Sequence, residues 1–150
     1  MFVGMNRQEQ GDLGELSAMA YYAGLGCSVY VPVGHSPDAD FIADDGERLI
    51  RVQVKTSGYL DKGRWCVAVC TRGGNQSWNR VVKRFSATRC DELFAVTVDG
   101  RRWRIPAGAV GASTGVRLGG PKYAQFEVDA GPPLVASPAP QSLSCPAPAG

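Results

Sequence analysis

The stretch DADFIADDGERLIRVQVKTS, residues 38–57, decides the fold. Its Asp45-Gly46 dipeptide separates two runs rich in apolar residues, which predicts a β-hairpin. Side chains alternate across a strand, so the second arm has two different faces. The apolar face consists of Ile50, Val52 and Val54, and the polar face of Arg51, Gln53 and Lys55. Such a strand is either an exposed edge strand or a strand whose polar side lines a reaction site.

The hairpin also gathers groups that could hold a metal ion. Its turn brings the two arms side by side, so Asp40 in the first arm can meet Gln53 and Lys55 near one end. Upstream, Glu15 could point past the edge of the core into the same place. Mg²⁺ prefers oxygen ligands and takes only one or two protein carboxylates. The candidate metal ligands are therefore the side chains of Glu15, Asp40 and Gln53 and the backbone carbonyl of Val54.

The lysine in this group indicates what the site would do. Beside a metal ion, the Lys55 ammonium would neutralise phosphate charge or orient the attacking water. The unperturbed pKa of lysine, about 10.4, favours this role in charge stabilisation over a role as general base. The expected chemistry is metal-assisted attack of water on a phosphodiester.

The rest of the chain predicts one helix and several short strands. Residues 11–23 predict an amphipathic helix, whose apolar side at helical spacing consists of Leu13, Leu16, Ala20 and Ala23. We expect strands at 27–33, 65–70 and 123–128, a second hairpin at 93–107, and a loop with at most one short helix at 72–92. This order indicates an α/β (α+β) fold with one central sheet.

Composition limits the class of protein. The 150 residues fit one domain, 1–129, followed by a Pro- and Ala-rich tail, 130–150, that is expected to be disordered. No apolar run is long enough to span a membrane and no signal peptide is apparent, so we expect a cytoplasmic protein. The five cysteines are odd in number and never spaced C-x-x-C, which argues against a disulfide framework and a zinc site. A single histidine, His35, weakens the case for Ser/His/Asp catalysis.

Charge is unevenly distributed along the chain. Residues 1–47 hold one basic and eight acidic side chains, whereas residues 48–122 hold fifteen basic and four acidic ones. This asymmetry predicts either an acidic pocket beside a basic, polyanion-binding surface or scattered solvated charges. The candidate DNA contacts are Thr56, Ser57, Arg72, Asn75, Gln76, Arg80, Lys83 and Arg84. Arg101, Arg102 and Arg104 either contact phosphate or are simply solvated.

The pieces P-D-A-D (37–40) and Q-V-K-T (53–56), with G-D-L-G-E (11–15) upstream, resemble the PD-(D/E)XK nuclease superfamily. The Gln in place of an acid is most similar to the subgroup of a group I intron-encoded homing endonuclease, and archaeal Holliday-junction resolvases are a related branch. The resemblance covers about residues 10–128 and implies a restriction-endonuclease-like core, a central mixed sheet flanked by helices. It also implies Mg²⁺, with Mn²⁺ as substitute, and a DNA substrate. The catalytic residues that the resemblance implies are Glu15, Asp40, Gln53 and Lys55.

Two alternatives remain open from the sequence. The chain could be a junction-specific nuclease related to the resolvases, or a DNA-binding module on the same fold that has lost its chemistry. Gln53 favours the module, because an amide holds a metal ion more weakly than a carboxylate does.

A homo-oligomer, dimer or tetramer, is also expected, because two related cuts need two sites and closed symmetry is the norm. We expect part of its interface on the second hairpin, at Phe94, Val96, Val98, Trp103 and Ile105.

Overall fold

The computed structural model describes residues 5–34, 38–72, 82–83, 85–111 and 114–134. Two α-helices and a 3₁₀-helix are present in these ranges: α1 Arg7–Gly24, α2 Ala107–Val110 and the 3₁₀-helix Pro121–Phe126. The strands are β1 Ser28–Tyr30, β2 Phe41–Asp44, β3 Leu49–Ser57, β4 Leu60–Asp61, β5 Arg64–Ala68, β6 Thr71–Arg72, β7 Val82–Lys83, β8 Glu92–Thr97, β9 Arg102–Pro106, β10 Gly115–Leu118 and β11 Glu127–Val128. The expected α+β class with a central mixed sheet is confirmed.

The central sheet has six strands in the order β1-β2-β3-β8-β9-β11. β3 and β8 run parallel at its middle, and the other neighbours are antiparallel. A three-stranded sheet, β10-β5-β4, and a short ribbon of β6 and β7 complete the strands. The β3–β8 pairing makes β3 a central strand, so its polar side chains do not belong to an exposed edge.

Both predicted hairpins are present. In the first, β2 pairs with β3, with Phe41 opposite Val52. The Asp45 carboxylate accepts hydrogen bonds from the backbone N–H groups of Glu47 and Arg48 at 2.9 and 2.8 Å, and these bonds lower the pKa of Asp45. Gly46 has φ of 92°, a conformation that side-chain-bearing residues rarely adopt. The local turn chemistry therefore sets the register that places Asp40 against β3.

The hydrophobic core lies on both faces of the central sheet. Phe94 and Val96 of β8 pack under α1, whereas Leu93 and Ala95 pack against the three-stranded sheet. Because both faces are covered within the chain, Phe94, Val96, Trp103 and Ile105 are fully buried. Their assignment to a subunit interface is therefore wrong.

Helix α1 packs on a different side from the one its leucines predict. Leu13 and Leu16 are 37% and 59% exposed, and Ala20 and Ala23 are exposed as well. The buried residues of the helix are Gly14, Ser17, Ala18 and Tyr22. Small residues are needed on this side because the helix backbone comes close to β3, as described below.

A buried polar network ties α1 to the sheet. The Glu92 carboxylate accepts hydrogen bonds from Arg104 Nε at 2.7 Å and Arg104 Nη2 at 2.8 Å, and from the Tyr22 hydroxyl. Burial, together with the nearby Glu92 charge, raises the pKa of Tyr22. A buried polar group needs such partners, so this network fixes where α1 lies on β8 and β9.

Other local predictions fail where the sequence signals are weak. The strand expected at 123–128 is mostly the 3₁₀-helix, which begins at Pro121, and only Glu127–Val128 is a strand. β10 was not expected. Within 72–92 the structure has two short paired strands, β6 and β7.

The first residues of the expected tail are part of the domain. Gly131 and Leu134 donate backbone hydrogen bonds to Gly100 and Val98, both at 2.9 Å, and Leu134 is buried beneath α1. Ordered structure therefore extends at least to Leu134, and residues 135–150 lie outside the described part. None of the described helices is long and apolar enough to cross a membrane. The four described cysteines are free.

The pairing of Arg51 with Asp91 predicts a loss of stability in acid. Arg51 Nε and Nη2 each lie 3.1 Å from an Asp91 oxygen, and these hydrogen bonds hold the pKa of Asp91 below its ordinary value of 3.8. The resulting stabilisation is fully present above that ordinary value and is lost as pH falls through the lower, folded-state value. In urea unfolding, Asp91→Asn is expected to be less stable than the wild type at neutral pH, and the gap should close in strong acid. A gap that stays constant with pH would contradict this account.

Candidate active site

Helix α1 begins at a capping box. Asn6 Oδ1 accepts from the Glu9 backbone N–H at 2.8 Å, and Glu9 Oε2 accepts from the Asn6 N–H at 3.0 Å. The helix then crosses β3 at Gly14. A Cβ built on Gly14 would overlap the Thr56 hydroxyl and lie 3.2 Å from Thr56 Cβ. Glu15 follows directly, so the crossing brings its carboxyl group to the end of the first hairpin.

Asp40 is fixed to the backbone of β3. Its N–H donates to the Val52 carbonyl at 2.9 Å, and its Oδ2 accepts from the Val54 N–H at 2.6 Å. The carboxylate is thus held against the residue that lies between Gln53 and Lys55. The hairpin register predicted that Asp40 would lie near Gln53 and Lys55, and the hydrogen bond from the Val54 N–H adds a contact that the sequence did not predict.

Glu15 lies in the electric field of Asp40. Partial burial is the largest cause that raises the pKa of Glu15, followed by repulsion from Asp40 and then from Asp12. Two carboxylates that disfavour each other's ionisation form a site where a cation would be stabilised. A cation bound near both carboxylates would relieve this repulsion.

Two clefts meet at Glu15. The first, the Asp40 cleft, has a volume of about 250 Å³ and is lined by Glu15, Met19, Val31, Pro32, Gly34, Ala39 and Asp40. The second, the Lys55 cleft, has a volume of about 470 Å³. It is lined by Arg7, Gln10, Gly11, Glu15, Val54, Lys55, Thr56, Ser57, Gly58, Tyr59, Cys66 and Ala68. The shared Glu15 places Asp40 and Lys55 on the two sides of one junction.

Gln53 is the predicted site residue with the weakest structural support. It lies half-buried on the same face of β3 as Lys55, but it lines neither cleft. The structure thus brings together Glu15, Asp40, Val54 and Lys55, and relates Gln53 to them only through the strand.

The donor set fits a hard divalent cation. Among the described residues there is no group of three His, Cys, Asp or Glu side chains that could hold a metal ion. Two carboxylates remain, with the amide of Gln53 and the carbonyl of Val54 as further oxygen donors. Because Mg²⁺ usually keeps several waters and needs only one or two carboxylates, this set suffices chemically.

The predicted DNA contacts lie in different parts of the structure. Thr56 lines the Lys55 cleft, whereas Ser57 is buried and its hydroxyl donates to the Cys66 carbonyl at 2.6 Å, so we leave Ser57 out of the contact surface. Arg72 and Lys83 belong to the β6–β7 ribbon. The rest lie outside the described residues: Asn75, Gln76, Arg80 and Arg84.

Many of the basic side chains are engaged within the chain. Arg104 pairs with Glu92, and Arg101 pairs with Glu127 at 2.8 Å. Arg102 is buried and donates to the backbone carbonyl of Asp129 at 2.7 Å. These three arginines are therefore not simply solvated, and the positive charge of residues 48–122 overstates the unpaired basic surface.

Three residues of the Lys55 cleft were missed in the sequence: Arg7, Gln10 and Tyr59. Arg7 and Gln10 are on the first turn of α1, and Tyr59 follows β3. Only the packing of α1 on β3 joins them, so no short motif could have identified them. The one available signal was the closeness of Tyr59 to Lys55 in sequence.

Comparisons with known proteins identify the family of the chain and a similar fold. Residues 5–125 match the family model described as PD-(D/E)XK endonuclease. Among solved structures, the fold is similar to that of a bacterial homing endonuclease, I-Ssp6803I, with a TM-score of 0.72 and 20% identity over 82% of this chain and 89% of that chain. No curated protein matches the chain. The family model spans most of the sequence, and the chain therefore belongs to the PD-(D/E)XK endonuclease family.

Proposed function

We propose that the protein is a metal-dependent DNA endonuclease with its site at Glu15, Asp40, Gln53, Val54 and Lys55. Nucleases of this family typically use divalent metal ions, and we propose Mg²⁺, with Mn²⁺ as a substitute. The observation that carries the proposal is the Asp40 carboxylate, held on the Val54 N–H at 2.6 Å and close enough to Glu15 to raise its pKa.

Asp40 and Glu15 have one role in this proposal, and Lys55 has another. A bound divalent cation would supply an activated water and stabilise charge on the phosphate. Asp40 and Glu15 would hold it, and the hydrogen bond to Val54 keeps the Asp40 carboxylate from rotating away. Lys55 makes no hydrogen bond or ion pair with any part of the chain that the structure describes. Its ammonium is therefore available to the phosphate that is cut.

Cleavage of plasmid and branched DNA tests the proposal. With Mg²⁺ or Mn²⁺ the wild type is expected to nick DNA, and EDTA should stop the reaction. Lys55→Ala should lower the single-turnover rate about 100-fold, as expected for one charge-stabilising donor. A matched control is Lys62→Ala, since Lys62 is an exposed lysine in the β4–β5 turn outside both clefts. Equal nicking by wild type and Lys55→Ala would remove Lys55 from the site.

A second candidate is a DNA-binding module without chemistry. It is favoured by the position of Gln53 outside both clefts and by the absence of a three-acid group among the described residues. Isothermal titration with Mn²⁺ separates the two candidates. Binding that requires Asp40 supports the enzyme, and no binding even with DNA present supports the module.

The type of nuclease and its assembly are also proposals. We favour a homing-endonuclease-like enzyme over a junction resolvase, and a substrate panel of linear duplex and four-way junction distinguishes them. We further propose a cytoplasmic homo-oligomer with two-fold symmetry. Leu13 and Leu16 of α1 provide exposed apolar surface for it, in place of the buried second hairpin. Sedimentation at micromolar concentration should show at least a dimer, and a monomer that cuts both strands would contradict this.

A further inference from the structure

The Lys55 cleft combines the groups that recognise a nucleotide. It is lined by two cationic residues, Arg7 and Lys55, by Gln10, which carries an amide, and by the exposed aromatic residue Tyr59. Its volume of about 470 Å³ falls in the range of small-ligand sites, roughly 300–1,000 Å³. A pocket of this size can admit one nucleotide but not a paired duplex.

The backbone of Tyr59 is held by hydrogen bonds, and its ring has no partner among the described residues. Its backbone N–H donates to Ser57 Oγ at 3.2 Å, and its carbonyl accepts from the Cys66 N–H at 2.9 Å. The residue is nevertheless 65% exposed, and its ring contacts no other aromatic ring or cation in the described parts of the chain. An exposed ring on a hydrogen-bonded backbone beside a basic cleft can serve as a stacking platform for a base.

The cleft floor is built from small residues. A Cβ on Gly58 would lie 2.8 Å from Gln10 Nε2 and 3.2 Å from Val98 Cγ1, so a larger residue there would displace the Gln10 amide. A Cβ on Gly11 would meet nothing within 4 Å. The Gln10 amide thus lies over Gly58 at the edge of open space, where it can reach a base edge.

The two cations of the cleft are available for a phosphate. Neither Arg7 nor Lys55 pairs with a carboxylate among the residues that the structure describes. This differs from Arg51, Arg101 and Arg104, which are held by ion pairs. An unpaired arginine on the first turn of α1 suits the next phosphate along a strand.

We propose that the Lys55 cleft binds one unpaired nucleotide of the DNA strand that is cut. The base of this nucleotide stacks on the Tyr59 ring, and the edge of the base contacts the Gln10 amide. The phosphate of the nucleotide contacts Arg7. Because Glu15 lines both clefts, a strand whose phosphate lies at the junction continues directly into this pocket. The inference rests on the proposed nuclease function, since it is DNA at the Glu15–Asp40 junction that leads into the cleft.

Metal-free binding tests the pocket separately from cleavage. Two fluorescein-labelled probes are compared by anisotropy in EDTA: a paired duplex, and the same duplex with one unpaired nucleotide. The wild type is expected to prefer the second probe. Tyr59→Ala should weaken binding of that probe about fivefold or more, the loss expected for one stacked base, and Tyr59→Phe should not. Tyr59→Ala should leave the melting temperature unchanged, because the ring is mostly exposed.

The matched control is Tyr30→Ala. Tyr30 is 56% exposed on the edge strand β1 and lines neither cleft, so its removal should leave both affinities unchanged. The proposal is overturned if the wild type binds both probes equally or if Tyr59→Ala weakens both to the same extent. A Tyr59-dependent preference for the second probe without any nicking would contradict the proposed nuclease function alone. Nicking without that preference would contradict the proposed nucleotide pocket alone.

Discussion

The Asp40→Asn variant is expected to lose DNA cleavage by at least about 1,000-fold while keeping its fold. The substitution removes the negative charge that would help hold a divalent cation, and charge stabilisation by such an ion contributes several kcal/mol to the transition state. Each 1.36 kcal/mol corresponds to about a factor of ten in rate. Asn still offers a side-chain oxygen to the Val54 N–H, which donates to Asp40 at 2.6 Å. The variant therefore removes the charge of residue 40 while keeping the hydrogen bond to the Val54 N–H.

Two measurements test the Asp40→Asn variant. Single-turnover cleavage gives the rate, and Mn²⁺ titration is expected to show weaker or absent binding. The pKa of Glu15 should also fall in Asp40→Asn, because repulsion from Asp40 is one of the causes that raise it. NMR titration of the Glu15 carboxyl group measures that fall.

The control is Asp44→Asn at the other end of β2, the strand that follows Asp40. Asp44 Oδ1 accepts a hydrogen bond from the Gly46 N–H at 2.9 Å, and an amide oxygen can do the same. Cleavage should be unchanged in this variant. If Asp40→Asn cleaves as fast as Asp44→Asn, then Asp40 does not bind a metal ion that is needed for the reaction.

Local signals account for the part of the site that the sequence predicted. Asp45-Gly46 and strict alternation set the register of the first hairpin, and that register alone places Asp40 against β3. The sequence therefore predicted that Asp40 lies beside β3, whereas the hydrogen bond from the Val54 N–H to Asp40 is known only from the structure. Glu15 was predicted from its position beside the apolar stripe of the helix and from resemblance to a family motif, although the helix packs on the side opposite to its leucines.

Long-range packing accounts for what the sequence did not show. Alternation indicates that Arg51 and Lys55 leave the same face of β3, but not that Asp91 holds the first while the second lines a cleft. In the same way, Ser57 has the spacing of a surface residue, yet its hydroxyl is taken by a carbonyl of β5. Asp91 lies 40 residues from Arg51 and Cys66 lies nine from Ser57, and the alternation within β3 predicts neither pairing.

The Gly14→Ala variant is expected to destabilise the protein by about 3 kcal/mol, at the upper end for overpacking. A Cβ at this position would overlap the Thr56 hydroxyl and lie 3.3 Å from Thr56 Cγ2, and χ1 of a β-branched residue is restricted, so the threonine does not readily turn both groups away. Helix α1 must then move away from β3. Glu15 moves with it, and cleavage should fall together with the midpoint of urea unfolding.

Gly11→Ala is the matched control for this effect. It lies one turn earlier on the same helix, and its Cβ would meet nothing within 4 Å. Alanine there should stabilise the helix by about 0.5–1 kcal/mol, because glycine is the poorer helix former. A loss of stability in Gly14→Ala together with a gain in Gly11→Ala would show that contact with β3, and not helix propensity, determines the effect at Gly14.

The double variant Gly14→Ala with Thr56→Ala tests the contact itself. Removing the Thr56 hydroxyl and methyl groups leaves only Cβ at 3.2 Å, so most of the lost stability should return. Losses that simply add in the double variant would mean that Gly14 is needed for another reason. Recovery of stability together with cleavage would establish that the α1–β3 crossing positions Glu15, because no other contact is restored.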